Sequence, residues 1–220
     1  YISRILEGSY GEVSPTVEDV LNKLYLVNSR MVNLAEDLLN VSRIDAGRVQ
    51  YNYHKAHLEK VLQEATEVFR LNAQNKGLTL NLELPEAPLP EMTIDARKIQ
   101  EVCSNLIDNS IKYTQEGSVS VKLVALHDRA IISVKDTGIG IAPENKTKLF
   151  NKFVRSKETN ILDVSGTGLG LYVGKNFVEA HGGTIRAESE GKGKGSEFII
   201  ELPYINPKLN ETAPNWMINS

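Results

Sequence analysis

Charge of one sign, cysteine and long apolar runs are all scarce in this chain. Lysine and arginine together number 25 against 28 aspartates and glutamates, for a net charge of −3. That balance gives no reason to expect nucleic acid or an anionic membrane surface as a partner. The single cysteine, Cys103, excludes a disulfide within the chain and fits a reducing, cytoplasmic compartment. Its place mid-helix on an apolar side marks a buried small hydrophobe rather than a reactive thiol. No run of roughly 18 apolar residues and no signal-peptide pattern is present, so these residues are not expected to span a membrane. Any membrane attachment would come through an upstream segment. The 220 residues leave room for one good-sized domain, or a medium one with an appendage.

What is there is organised around Ile99–Thr114, IQEVCSNLIDNSIKYT. As a helix it puts Ile99, Val102, Leu106 and Ser110 on one side, with Cys103 and Ile107 beside them. Asn105, Asn109 and Lys112 fall together on the opposite side, two amides and an ammonium on one line. Buried or half-buried amides are costly unless they find partners, so paired asparagines on a helix flank point to a polar ligand. A merely solvated face is the other reading of this stretch alone.

Upstream, Tyr1–Glu12 reads as the tail of a helix ended by Gly8 and Gly11. Ser14-Pro15 starts another that runs to about Ala46, with Gly47 as its stop. Its apolar heptad is unbroken: Val17, Leu24, Met31 and Leu38 at one core position, Val20, Val27, Leu34 and Val41 at the other. A lone helix with such a face is not stable in water, so a hairpin partner, a second copy or both are expected. Val49–Ala56 alternates loosely, as an edge strand would. Leu58–Gln74 is a helix capped by Gly77, Leu78–Leu84 a half-buried strand and Met92–Ile94 a short one, with Asp95 the N-cap of the central helix. Val119–Leu126 and Ala130–Lys135 form a hairpin about His127-Asp128-Arg129. A polar loop runs through about Ser165, a long helix from Gly166–Leu171 to His181, and two strands follow, Thr184–Ser189 and Glu197–Leu202. Tyr204–Ser220 shows no periodicity and reads as peripheral or disordered, with Trp216 and Met217 available to dock.

Three glycine clusters follow the asparagine helix. Asp136-Thr137-Gly138-Ile139-Gly140 comes directly after a strand, Gly166-Thr167-Gly168-Leu169-Gly170-Leu171 directly before a helix, and Gly193-Lys194-Gly195 between two strands. A glycine-rich turn opening a helix presents free N–H groups and a positive dipole end, which suits phosphate. A Walker loop is excluded because no GK[ST] follows the glycines. A dinucleotide fold is excluded because no strand immediately precedes Gly166 and no βαβ unit surrounds it. What remains is a site assembled from all three segments. The asparagine face would hold a metal and phosphates, GTGLGL would cap the phosphates, and Asp136 would accept a hydrogen bond from a base amine.

The order NLIDNSIKYT, DTGIG, LFNKF, GTGLGL and GKGSEF resembles the N, G1, F, G2 and G3 boxes of sensor histidine kinases. Those belong to the wider ATP-binding family that includes gyrase, the Hsp90 chaperones and MutL. The resemblance covers about Ala56 to Pro203, with every box in order. The helix ending LAEDLLNVSRIDAGRV looks like the second helix of the kinase dimerisation hairpin. The fold this implies is α+β: a two-layer α/β sandwich of the Bergerat type, a mixed sheet with three helices, preceded by a long bundle-forming helix. Residues 1–48 would be the partial hairpin, 49–203 the catalytic ATP-binding domain and 204–220 a tail.

Carried over box by box, the resemblance implies that Asn109 coordinates Mg²⁺, with Asn105 and Lys112 near the phosphates of ATP. Magnesium takes an amide oxygen because it prefers hard oxygen ligands. Tyr113 would lie along the adenine and Asp136 would read its amine, with Gly138 and Gly140 letting the backbone approach and Ile141 beside them. Phe150 and Phe153 would anchor a mobile lid, Val154–Ser165, from which Arg155 reaches the γ-phosphate. Gly166, Thr167, Gly168, Leu169 and Gly170 would wrap the phosphate chain, and Thr184 completes the ATP-contacting set.

Gyrase-like ATPases place a glutamate four residues before the metal-binding asparagine, where it activates water. Asn105 stands there in this chain, and Glu101 lies about 6 Å further back along the axis. That favours phosphoryl transfer over hydrolysis. The other readings are a gyrase- or Hsp90-like ATPase, or an ATP-binding module with no kinase activity. The family's acceptor motif, His-acidic-x-Arg/Lys-Thr/Asn-Pro, is absent. None of His54, His57, His127 and His181 has that context, so the fragment is not expected to phosphorylate itself. The partners the resemblance implies are a response regulator receiver domain and a second copy of the chain, paired through the helical hairpin.

Overall fold

The computed structural model describes residues 1–154 and 167–211. The chain divides into two compact units, Tyr1–Val49 and Gln50–Ser220.

The first unit is a short helix α1 (Ile2–Leu6) and a long helix α2 (Pro15–Asp45). Ser14 caps α2: its hydroxyl accepts the Val17 N–H at 3.4 Å, and proline occupies the first turn, where no amide partner is needed. Ala46 ends the helix, and Gly47 follows at φ +63°, a conformation that favours glycine. The heptad residues from Val17 to Leu38 are all exposed, Met31 at 65 %, and only Val41 of α2 is buried.

The second unit holds β1 (His54–Ala56), α3 (Leu58–Glu67), α4 (Arg70–Asn75), β2 (Thr79–Glu83), β3 (Met92–Ile94) and α5 (Ala96–Tyr113). After these come β4 (Ser118–Ala125), β5 (Arg129–Asp136), α6 (Pro143–Lys146), α7 (Gly170–Ala180), β6 (Thr184–Glu188), β7 (Ser196–Pro203) and α8 (Pro207–Glu211). Five strands form one sheet in the order β2-β4-β5-β7-β6; β2 runs parallel to β4 and every other pair is antiparallel. The period of two puts Val121, Val134 and Phe198 on one rung of the buried face, and Leu123, Ile132 and Ile200 on the next. α5 lies on β4 and β5, and α3 and α7 both pack on α5. Its buried residues are Ile99, Val102, Cys103, Leu106, Ile107, Ser110 and Ile111, the face the helical spacing selects. Asp95 caps it, accepting the Lys98 N–H at 3.1 Å. This is the mixed-sheet, three-helix sandwich with a long preceding helix.

Several local expectations need correction. The apolar period of Leu58–Gln74 continues past Glu67, but the helix does not. The buried Thr66 hydroxyl donates back to the Leu62 carbonyl at 2.7 Å, which bends helices, and Phe69 N–H then bonds the Thr66 carbonyl instead of extending the ladder. The chain restarts as α4, leaving Val68 and Leu71 exposed. Of Val49–Ala56 only His54–Ala56 is strand, and it pairs with β3 in a separate two-stranded sheet. Beyond Pro203 the chain still packs: Asn206 is buried, donates to the Ala180 carbonyl at 3.2 Å and accepts the Lys208 N–H at 3.0 Å, starting α8. Trp216 and Met217 lie outside the described residues.

Candidate functional site

The sheet brings an aspartate to a place where an apolar side chain would otherwise sit. Asp136 follows Ile132 and Val134 on the buried face of β5, opposite Val119 on one side and Ser196 on the other. It is 5 % exposed, and a carboxylate so buried must be hydrogen-bonded. Oδ1 accepts the Gly138 N–H at 2.8 Å and the Ser196 N–H at 3.2 Å; Oδ2 accepts the Ser196 hydroxyl at 2.5 Å. Carboxylate oxygens have lone pairs beyond these three bonds. Close by, the buried Thr114 hydroxyl has no hydrogen-bond partner among the described residues. A Cβ on Gly138 would lie 2.9 Å from both Asp136 Oδ1 and Thr114 Oγ1, and 2.4 Å from the Tyr113 carbonyl. The glycine keeps this corner open.

The loop behind Asp136 is fastened to the β6–β7 turn. Gly195 N–H bonds the Gly138 carbonyl at 3.0 Å, Gly193 N–H the Ile139 carbonyl at 2.7 Å, and Ile139 N–H the Tyr113 carbonyl at 3.1 Å. Ser189 Oγ receives the Ile141 N–H at 3.0 Å and donates to the Gly195 carbonyl at 2.6 Å. Two glycine clusters far apart in sequence thus form one rigid wall, with Ile141 buried in it and Tyr113 half-buried at the end of α5.

The middle of α5, one to two turns before Tyr113, faces the third cluster. Asn109 Nδ2 donates to Asn105 Oδ1 at 3.3 Å, and Lys112 pairs with Asp108 at 2.5 Å. A Cβ on Gly170 would come within 2.7 Å of the Asn105 amide, so a side chain here would push that amide aside. A Cβ on Gly174, one turn on, would meet Val102 at ordinary contact distance. The first turn of α7 has no side-chain cap, and its N–H groups and dipole suit an anion. Leu169 is buried as its N-cap, its N–H bonding Thr167 Oγ1 at 3.2 Å. Gly168, at φ +70°, accepts the Phe153 N–H at 3.0 Å, which ties this turn to the phenylalanine segment.

The structure therefore gathers Asn105, Asn109, Lys112, Tyr113, Asp136, Gly138, Gly140, Ile141, Thr167, Gly168, Leu169 and Gly170 about one face of α5. Phe150 is half-buried nearby in sequence. Phe153 is not a buried anchor: it is 64 % exposed and holds φ +61°, uncommon for a side chain of that size. Thr184 stands apart. It opens the outer strand β6 opposite Glu201, about 17 Å of strand from the Ser196–Asp136 pair. Arg155 and Gly166 lie outside the described residues, as does nearly all of Val154–Ser165. Ser196 and Ser189 belong to this wall without the motifs marking either as a site residue. Ser196 was findable, because it sits two residues before inward-facing Phe198 and so shares its face; Ser189 works through loop contacts that no spacing reveals.

Two titratable groups in this unit are structural. Burial pushes the Cys103 thiol up to about 12, so it stays protonated as a small hydrophobe. His181 is 2 % exposed; its Nδ1–H donates to the Phe177 carbonyl at 2.6 Å and its Nε2 accepts the Asp95 N–H at 2.9 Å. Those partners need a neutral ring, and burial lowers its pKa against the opposing pull of the Phe177 carbonyl and Asp95.

Residues 94–206, just over half of the chain, match the family described as histidine kinase-, DNA gyrase B-, and HSP90-like ATPase. Sensor protein SrrB of Staphylococcus aureus is 33 % identical over 205 residues, which cover 92 % of this chain and 34 % of that protein. The non-motile and phage-resistance protein of Caulobacter vibrioides is 33 % identical over 185 residues, 81 % of this chain and 22 % of that one. The chain thus spans about a third or less of the length of these curated relatives. Full-length ShkA in complex with AMPPNP superposes with a TM-score of 0.76 at 26 % identity, covering 92 % of this chain and 41 % of that chain. Acinetobacter baumannii histidine kinase AdeS superposes with a TM-score of 0.68 at 26 % identity, covering 93 % and 92 %. Among the described residues no helix is long and apolar enough to cross a membrane.

Proposed function

Because this chain belongs to the histidine kinase-, DNA gyrase B- and HSP90-like ATPase family, we propose that it is the ATP-binding catalytic part of a sensor histidine kinase. In this reading it passes the γ-phosphate of ATP to a histidine, for relay to a response regulator aspartate. The observation that carries the proposal is that two unlike polar groups flank the C-terminal half of one helix, α5. A buried, hydrogen-bonded Asp136 suits an adenine amine, and amides set against an uncapped helix start suit a phosphate chain.

The donor set fits magnesium brought in with the nucleotide. Among the described residues no cluster of three or more His, Cys, Asp or Glu side chains could hold a metal, and Asn109 offers one hard amide oxygen. Asn109 would hold Mg²⁺ through that oxygen, and the metal would supply charge neutralisation for the phosphates. Asn105, Asn109 and Lys112 orient the phosphates, Thr167 to Gly170 cover them, and Tyr113 lies along the base.

Transfer is favoured over hydrolysis by what stands one turn before Asn109. Asn105 is an amide and cannot take a proton from water, while Glu101 is paired with Lys98 at 3.1 Å. ATP therefore persists until an acceptor arrives. None of the four histidines suits that role. His181 is buried, His57 faces Glu91 at 3.6 Å, His54 is in β1 and His127 lies in the β4–β5 turn. The acceptor comes from another chain or segment, and the exposed apolar stripe of α2 supports pairing with a hairpin partner and a second copy. A cytoplasmic location, where ATP and receiver domains meet, belongs to the same proposal.

The test is to give this chain radiolabelled ATP and Mg²⁺ with and without a separate hairpin fragment carrying the acceptor motif. Acid-labile, base-stable label on the added fragment, none on this chain, and no free phosphate above background are expected. Phosphate release matching ATP turnover without label would instead make the protein a gyrase-like ATPase.

A further inference from the structure

The last four carbonyls of α5 cannot be satisfied within the helix itself, and each has found a partner outside it. Ser110 accepts the Thr114 N–H at 3.1 Å, and Tyr113 accepts the Ile139 N–H at 3.1 Å. The two between, Ile111 and Lys112, both accept from the ammonium of Lys76, at 2.6 and 2.9 Å. An ammonium at this place also balances the negative end of the helix dipole.

Lys76 is itself held firmly. It is the C-cap of α4, its N–H bonding the Asn72 and Ala73 carbonyls at 3.2 and 3.1 Å. Gly77 follows at φ +73° and turns the chain into β2, whose first N–H, on Thr79, bonds the Gly117 carbonyl at 3.1 Å. Contact with the helix end takes Lys76 partly out of water, which lowers its pKa. Its anchor is thus built from α4 and the sheet edge that follows it, not from α5.

We infer that Lys76 is a positioning residue for the nucleotide site. Its ammonium holds the final turn of α5 so that Tyr113 and the Gly138–Gly140 loop stay in register. The link runs through one turn of backbone: Lys76 fixes the Ile111 and Lys112 carbonyls, and the next carbonyl, Tyr113, fixes Ile139. Without the ammonium, two adjacent carbonyls lose their partner and the turn carrying Tyr113 frays. The inference rests on the reading that Tyr113 and Asp136 take the adenine. It adds a residue from outside every glycine or asparagine segment.

Lys76→Met keeps the aliphatic stem and removes the donor; Lys76→Arg restores donors. Calorimetry with ATP and with ADP, on variants held well below their melting temperatures, reads the effect. Lys76→Met should weaken both nucleotides by the same factor, roughly three- to tenfold, because the base end and not the terminal phosphate is disturbed. Lys76→Arg should recover most of the loss. Amide exchange at Ser110–Thr114 should quicken in Lys76→Met while exchange in β4 stays unchanged. Lower melting temperature with unchanged affinity would overturn the inference, leaving Lys76 a plain helix cap. So would a loss seen with ATP and absent with ADP. If Lys76→Met is too unstable to measure, Lys76→Gln carries the same comparison, with its shorter reach. Asp136→Asn serves as the control: if it too leaves affinity unchanged, the adenine-site reading fails. If it weakens binding and Lys76→Met does not, only the role of Lys76 fails.

Discussion

At the base end of the site Asp136 is buried and already holds three hydrogen bonds, whereas at the phosphate end the polar side chains are half-buried and bond chiefly to one another. The first is a finished pocket: its aspartate, glycines and serines are also what closes the β6–β7 turn onto β5. The second is provisional. In the proposed binding mode Lys112 exchanges Asp108 for ligand oxygens, while Asn109 can offer its Oδ1 with its Nδ2 still on Asn105. In the proposed mode, binding energy at the base end is spent with little reorganisation, while at the phosphate end Lys112 gives up an existing partner. Substitutions at the base end should damage folding and binding together, and those at the phosphate end binding alone.

Two glycines test that contrast with the largest effect. A Cβ on Gly195 would lie 2.0 Å from the Asp136 backbone oxygen, in a residue already at φ +68°. Gly195→Ala should lower unfolding free energy by about 2–4 kcal/mol in chemical denaturation. Gly170→Ala meets only the end of the Asn105 side chain, and alanine favours a helix start over glycine. It should leave stability unchanged or raised while weakening ATP binding about tenfold. Equal destabilisation by the two would erase the distinction.

Next comes Asp136→Asn. The Gly138 and Ser196 N–H groups can still donate to an amide oxygen at the Oδ1 place, and the Ser196 hydroxyl can turn to accept from the amide NH2, so most of the pocket should survive, but the charged acceptor proposed for the adenine amine is gone. Wild type should prefer ATP to GTP by at least about tenfold, and the variant should lose most of that preference. Equal affinities for the two nucleotides in the wild type would remove Asp136 from base recognition.

The smallest effect is a pH dependence that should touch neither end. His181 is neutral in the fold and its pKa is lowered, chiefly by burial. The unfolded chain therefore takes up a proton at higher pH than the folded one. Stability should be full above about pH 6.5 and fall as the pH drops below it. Tyr51, Tyr53 and Asp95 face the ring; His181→Asn, followed by thermal melts from neutral to mildly acidic pH, should flatten this slope without altering the ATP-over-GTP ratio at neutral pH.

Where the physics is local, the sequence shows the structure plainly. The apolar spacing of α5 identifies its buried face residue by residue, Asp95 and Ser14 announce their helices, and alternation marks β4, β5 and β7. Where a distant partner decides, it does not. The break between α3 and α4 hangs on one threonine hydroxyl turning back to Leu62, inside an apolar period that gives no warning. β1 is strand only because β3 lies beside it, and Asn206 looks like tail until it reaches the Ala180 carbonyl. In the site, the asparagines and glycines are visible as clusters. Ser196 becomes visible only once β7 is laid opposite β5, and the same register carries Thr184 away from the pocket.

The central claim is that one face of α5 holds a magnesium nucleotide, with Asn109 on the metal. Calorimetry of ATP binding to wild type and Asn109→Ala, each in Mg²⁺ and in EDTA, tests it most directly. The account predicts that the substitution costs far more affinity in Mg²⁺ than in EDTA, while Asp136→Asn loses the same amount in both. Equal losses for Asn109→Ala under the two conditions would contradict it, because Asn109 would then touch the nucleotide without holding the metal.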